Sequence, residues 1–463
     1  PLFIGIDAEW GLGMRLDSVT KFPWNMTLGA IQDLKLIEEV GKQMALQSKQ
    51  LGVHFNFAPV LDINTNPKNP IIGNRSFGED KERVTERALA LMIGLQNNGV
   101  FATGKHFPGH GATSTDSHYT LPVINFTQEQ IRNVELYPYK KLIDKGLASV
   151  MVAHLEVPAF ETRKGYPSSI SNIIVTDILK DELNFKGLIF SDAMGMKGVV
   201  KYFPNGEADV RGIIAGNDVL ELSENTERAI HLIRKSIRHH RLTWEDINQK
   251  VKKILEAKYW MGLNNLEEVN TQNVVTDLNR PASYQLIQNL TDAAVTVVKN
   301  DNIIPLRNDF IRKTAVLCIG QKQESAFYKS INQAYPNTTL FLIPKDLSDT
   351  EYNQVKASLQ NFDQIINVVY DTRKRPSSQL DYNNNLKSLI TDVSKANTIS
   401  VILANPYTIA GLPGIEKSKS IIVGYQNSVE MEISAAKVVL GKLKSQGKLP
   451  VSVNSFFKYG DGL

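Results

Sequence analysis

Six short apolar runs punctuate the first half of the chain: "PLFIGID", "VHFNFAPVLD", "FATGKH", "SVMVAHLE", "GLIFSDAM" and "DVLELS". Runs of this length, rich in Val, Ile and Phe, predict strands buried on both faces. Amphipathic stretches separate them. "DKERVTERALALMIGLQNNG" sets charge on one side and Ala, Leu and Met on the other, then stops at a glycine. "TDILKDELNFKG" opens on a Thr/Asp cap and also ends in glycine. Strand and helix alternating at this spacing predict parallel βαβ units. The pattern lapses over residues 264–284, which are polar, rich in Asn and Thr, and contain Pro281. It then resumes in "AVTVVKN", "TAVLCIG", "TTLFLIP", "QIINVVYD", "TISVILANP" and "SIIVGYQ". The expected organisation is a domain over 1–263, a linker over 264–284 and a second domain over 285–463.

What ends each run in the first half narrows its fold. The runs terminate in Asp7, Asp62, Lys105 with His106, His154 with Glu156, Asp192, and Glu221. A polar residue at the C-terminal end of nearly every strand predicts a (β/α)8 TIM-type barrel, which builds its active face there. An open doubly wound sheet would gather such residues at one switch point. Six runs instead of eight imply that a first strand lies upstream of Pro1 or that the barrel is irregular. The chain opens without Met in what reads as the middle of a strand pattern, which implies upstream residues processed off or left out. The second half predicts an α/β three-layer sandwich around a parallel sheet of about five or six strands. It has no histidine and no glycine-rich phosphate loop, so no chemistry is assigned to it.

Composition excludes more than it selects. The 463 residues are 42% hydrophobic and 22% charged, ordinary for a globular protein. The net charge of +4 is spread along the chain, without the concentrated basic face of a nucleic-acid binder. A single cysteine, Cys318, excludes an intramolecular disulfide. No apolar run reaches the roughly 18 residues of a transmembrane segment. Oligomeric state is not legible.

The chemistry concentrates in "KHFPGHGATSTDSH", residues 105–118, which holds three of the eight histidines. His106 and His110 are four apart, but Pro108 and Gly109 intervene, so no helix gives them the shared face of a metal site. No metal and no cofactor are expected. A polar loop without chemistry is the bland alternative. Acid/base work fits better: Asp116 and His118 are separated by one residue, and a carboxylate on one imidazole nitrogen fixes the tautomer while the other faces a substrate. Gly109 and Gly111 would let the loop swing. Asp192, at the end of an apolar strand, supplies an anionic partner suited to a cation-like transition state at a sugar's anomeric carbon. Its alternative is a helix N-cap.

"KHFPGHGATSTDSH" resembles the lysine–histidine, proline–glycine–histidine–glycine, aspartate–serine–histidine signature of the β-N-acetylglucosaminidases of glycoside hydrolase family 3. "GLIFSDAMGM" resembles that family's nucleophile segment, "IDAEWGLGMRL" its opening segment, and "NRSFGED" its Asn-Arg-Ser-Phe-Gly segment. Trp10 stands where the family commonly has glycine. The resemblance implies that Asp192 is the nucleophile and that His118 is the general acid and base, with Asp116 as its partner. It implies that Asp62, Arg75, Lys105 and His106 bind the terminal sugar; His154 ends a strand and lines the site or serves as a core histidine. The implied activity is exo-acting, retaining release of β-linked N-acetylglucosamine from peptidoglycan fragments or chitin oligosaccharides. Because a histidine acid carries no negative charge, phosphate is an alternative acceptor, which would make the enzyme a phosphorylase. A non-catalytic sugar-binding protein is the reading from another class, and a metal-dependent hydrolase the third. The two-domain form favours export to the periplasm or surface of a bacterium over the cytoplasm.

Overall fold

The computed structural model describes all residues except 117–119, 266–268, 270, 307–311, 374–376 and 396. The chain forms two units. The first comprises Pro1–Phe22, Ile37–Ser76 and Asp80–Arg280; the second comprises Pro23–Leu36, Phe77–Glu79 and Pro281–Leu463.

In the first unit the six apolar runs are six strands: β1 (Gly5–Ile6), β2 (Phe55–Asn56), β3 (Phe101–Phe107), β4 (Ser149–Val152), β5 (Leu188–Ala193) and β6 (Val219–Glu221). They lie side by side in chain order, and every neighbouring pair is parallel. That order is the winding of a barrel, without the switch point of a doubly wound sheet. The six runs thus give a half-barrel of six strands among the described residues, the irregular form of barrel that six runs implied.

Aromatic side chains fill its interior. Phe55, Phe57, Met151, Leu188 and Phe190 form one buried cluster, with Phe3, Phe101 and Val219 packed on it. Phe55 and Phe190 meet edge to face at 5.1 Å between ring centroids, a preferred aromatic geometry. Side chains two residues apart on a strand share a face. Towards the strands' C-terminal ends the register shifts, between Gly104 and Phe107 on β3 and between Phe190 and Ala193 on β5. Of the helices outside, Lys81–Gln96 is capped by Asp80, whose side chain accepts from the Arg83 N–H at 2.9 Å.

The stretch read as a linker carries a short helix, Val274–Leu278. Leu278 is buried against Ala8, Leu12 and Val19. Asn279 Oδ1 accepts from both the backbone N–H and the hydroxyl of Thr20. One apolar residue and one amide therefore bind a polar sequence to the first unit.

The second unit contains β7 (Thr296–Asn300), β8 (Thr314–Ile319), β9 (Thr338–Ile343), β10 (Gln364–Tyr370), β11 (Thr398–Leu403) and β12 (Ser420–Val423). Their order is β7-β12-β11-β10-β8-β9. Five are parallel, and β7 runs antiparallel to β12, so the sheet is mixed where a parallel one was expected. Helices Ala326–Ala334 and Pro281–Ala294 pack on Val429–Val439, while Asp349–Leu359 packs on Asn384–Val393. The early segments belong here through specific contacts. Gln426 Oε1 accepts from the Trp24 N–H and the Thr27 hydroxyl, and Glu79 accepts from the backbone N–H and hydroxyl of Ser452. No helix among the described residues is long and apolar enough to cross a membrane.

Candidate active site

Directly beyond the phenylalanine layer the strand ends become charged. The Lys105 ammonium, at the end of β3, lies 2.7 Å from Asp7 Oδ1 and 2.9 Å from Glu9 Oε1. Asp7 also pairs with Arg15 at 2.9 Å. Glu9 is fully buried and takes a forked contact from Arg75, whose Nε and terminal nitrogen approach its oxygens at 3.0 and 2.6 Å. Planar guanidinium matches planar carboxylate in this arrangement. Burial alone would raise the Glu9 carboxyl, but Arg75 and Lys105 outweigh it and hold the group well below the usual carboxylate range. Burial likewise opposes the charge on Lys105, and Glu9 and Asp7 overcome it, raising the lysine above its ordinary value.

A second chain of contacts leads from Arg75 to His106. A guanidinium nitrogen lies 3.0 Å from His106 Nε2, and His106 Nδ1 lies 2.6 Å from Asp62 Oδ2. Guanidinium has only donors, so Nε2 accepts and the Nδ1 proton goes to Asp62. Asp62 Oδ1 takes the His110 backbone N–H at 2.6 Å and the His106 N–H at 3.3 Å. Burial would raise the Asp62 carboxyl, but His106 and His110 hold it below its ordinary value. Both oxygens of Asp62 are thus engaged and the residue is fully buried. Asp62 thus stands behind His106 and orients it.

His154 had two expected places, lining the site or in the core bonded to backbone. It is fully buried, its Nδ1 lies 2.6 Å from the Ser169 hydroxyl, and its Nε2 donates to the Ala193 carbonyl at 3.0 Å. It acts from behind on the strand end that carries Asp192. Asp192 itself is half-buried, and its Oδ1 accepts from the Ala193 N–H at 2.8 Å. No ion pair fixes it among the described residues. Burial would raise its carboxyl, yet His154, His106, that N–H and Lys105 together keep it below the ordinary value, ionised at neutral pH.

The loop after β3 is packed. Asn69 Nδ2 donates to the carbonyls of His110 and Gly111 at 2.9 and 3.0 Å, and His110 Nδ1 meets the Thr113 hydroxyl at 2.7 Å. A Cβ on Gly111 would lie 1.8 Å from the Ile63 carbonyl oxygen. Gly109, at φ +133°, lies against the Glu135 carboxyl. The glycines expected to let this loop swing instead allow close packing. His110 is buried and neutral, its pKa pushed down to about 4 by burial. The Asp116 backbone carbonyl takes the Thr120 N–H at 3.0 Å. His118, the other half of the expected pair, lies outside the described residues.

Sequence reasoning noted Asp7 and Glu221 as strand ends but gave them no role, and it missed Glu9 and Arg15. Glu9 had a local signal: it follows Asp7 by two in "IDAEW", the spacing that puts both on one face of extended chain.

Parallel strands whose C-terminal ends converge on paired charges define a barrel-type enzyme. The chain belongs to glycoside hydrolase family 3: residues 1–257 match the family's N-terminal domain and residues 295–458 its C-terminal domain. It is 27% identical to beta-hexosaminidase A of Pseudoalteromonas piscicida, over 98% of this chain and 83% of that protein. It is 35% identical to the beta-hexosaminidase of Nitrosomonas eutropha, over 53% of this chain and 70% of the relative. Among solved structures it is similar to a glycoside hydrolase family 3 beta-N-acetylglucosaminidase from Paenibacillus sp. str. FPU-7, with TM-score 0.82 and 28% identity, over 98% of this chain and 87% of that one.

Proposed function

We propose that the chain is a retaining, exo-acting β-N-acetylglucosaminidase that takes terminal β-linked N-acetylglucosamine from peptidoglycan fragments or chitin oligosaccharides. Asp192 carries the reading. It is a half-buried carboxylate at a strand end, held ionised by groups around it and bound to no cation among the described residues. Such a group is free to attack an anomeric carbon.

In the first step Asp192 attacks while the protonated imidazole of His118, partnered by Asp116, gives its proton to the departing oxygen. The glycosidic bond breaks as the glycosyl–aspartate ester forms. In the second step neutral His118 takes a proton from water, the water oxygen bonds to the anomeric carbon, and Asp192 leaves. Two displacements return the original configuration. Asp7 and Arg15 have the polar atoms and exposure to grip sugar hydroxyls, with Lys105 buried behind Asp7, and Arg75 with His106 completes that wall. Asp62 and His154 serve as positioning residues for His106 and for the strand end at Asp192.

The test is a panel of aryl β-glycosides of N-acetylglucosamine, glucose and xylose, assayed with and without phosphate. Preferential turnover of the first, giving free sugar in both buffers, supports the reading. Sugar 1-phosphate as the main product replaces hydrolysis by phosphorolysis, and no turnover of any glycoside returns the chain to the class of binders.

A further inference from the structure

Glu221 ends β6 beside the strand that carries Asp192. Phe190 of β5 is in register with Val219 of β6, and both side chains belong to the phenylalanine cluster. The register then shifts, so that Glu221 pairs with Ala193, the residue next to Asp192. The Glu221 backbone is fastened on either side of Asp192: its N–H donates to the Ser191 hydroxyl at 3.1 Å, and its carbonyl accepts the Met194 N–H at 2.8 Å.

The side chain has no such fastening. Its Oε1 is buried with no hydrogen-bond partner. Charged groups face it from several elements: Asp7 after β1, Lys105 on β3 and Asp192 on β5. Lys105 is committed to Asp7 and Glu9. On its own stretch Glu224 accepts from the Asn205 N–H, and Asp209, on helix Glu207–Ala215, faces Ser223. A carboxylate here would be a further anion among anions, without a cation of its own. A carboxylic acid would be neutral and would have one hydrogen to donate.

Resting on the proposed activity, we propose that Glu221 serves as a neutral carboxylic acid in the sugar site, donating a hydrogen bond to an oxygen of the residue held above Asp192. Burial, then repulsion from Asp7 and Asp192, raises the group to about 8, so the donor is present at neutral pH and lost in mild alkali. Ionised, the side chain only accepts, and the sugar oxygen faces a lone pair.

The experiment follows kcat/KM from pH 6 to 10 with an aryl β-N-acetylglucosaminide whose acidic phenol leaves without help from His118. Wild type should lose about tenfold per pH unit above about 8. Glu221→Gln keeps an N–H donor and cannot ionise. It should be a few-fold slower at pH 7 and lack the alkaline limb. Glu221→Leu should be roughly 10- to 100-fold slower at all pH values. An unchanged alkaline limb in Glu221→Gln overturns the proposal, as does a folded Glu221→Gln that is inactive at pH 7. Infrared difference spectra between wild type and Glu221→Gln read the proton without turnover: a carboxylic-acid carbonyl band should appear at pH 7 and vanish by pH 9. Its absence at pH 7 overturns the proposal whatever the activity. Its presence in a chain that turns over no glycoside overturns the sugar contact and the functional reading, while the buried acid stands.

Discussion

Arg75 and His106 meet at 3.0 Å, and that contact leaves the imidazole one way to share its protons. Arg75 is in turn held by the buried carboxylate of Glu9. Removing one member of a buried pair strands the other, at about 3–5 kcal/mol, whereas replacing both with apolar groups is far milder. Arg75→Met should therefore lower the unfolding free energy by about that much in urea titrations, and Glu9→Leu with Arg75→Met should recover part of the loss. A double variant less stable than the single one would contradict this account of the pair.

Asp192→Ala should lose turnover by roughly 10⁴-fold or more on every glycoside, because no other group can form the ester. Mass spectrometry of wild type quenched during turnover should find the added sugar on the peptide containing Asp192. A label on another carboxylate would reassign the nucleophile.

His118→Ala should separate substrates by leaving group. General acid catalysis is worth about 10²–10⁴-fold where the leaving group is poor. A natural disaccharide should suffer that loss in the first step, while an aryl glycoside with an acidic phenol should be largely spared in kcat/KM. Equal losses on both would remove His118 from the role.

Glu135 gives stability a pH slope. Both its carboxyl oxygens are buried without a partner, and burial, helped by Asp62, raises it to about 8 from 4.5. The folded state thus keeps a proton that the unfolded chain releases above about 4.5. That stabilisation is fully present below 4.5 and falls by about 1.4 kcal/mol per pH unit up to about 8. Glu135→Gln should flatten this slope, its advantage over wild type growing from pH 5 to pH 8. Parallel stability curves for the two proteins would show that Glu135 is ionised in the fold.

Gly111→Ala tests the packed loop. Its new methyl group would have to displace the Ile63 backbone, an overpacking worth about 1–3 kcal/mol or more. Thermal unfolding should drop, and activity with it, since the same turn fixes the His110 N–H on Asp62. A variant as stable as wild type would mean that the loop yields easily.

The strands were readable because a strand buried on both faces needs an unbroken apolar run, and each run ended in a residue that water or a ligand must satisfy. The charged ends at Asp7, Lys105 and Asp192 followed from that rule, whereas β1 is only two residues long and is not buried. The pairing among those ends was not readable. Whether Lys105 reaches Asp7, Glu9 or Asp192 depends on strand register and barrel curvature, which no local pattern carries. For the same reason the partners of Asp62 and His154 were not readable: a polar strand end reads alike whether it faces the cavity or props up its neighbour. The reversed direction of β7 was equally silent, since a buried strand has the same composition either way.

Because Pro23–Leu36 and Phe77–Glu79 sit in the second unit, the protein's architecture and its gene order do not coincide. A fragment beginning at Pro281 would have a Gln426 amide oxygen without Trp24 and Thr27, and a Ser452 without Glu79. Expressed alone, such a fragment would start with a torn seam. Supplied in trans with residues 1–280 it should regain solubility, making this chain a candidate for split-protein complementation and a poor one for dissection at its apparent midpoint.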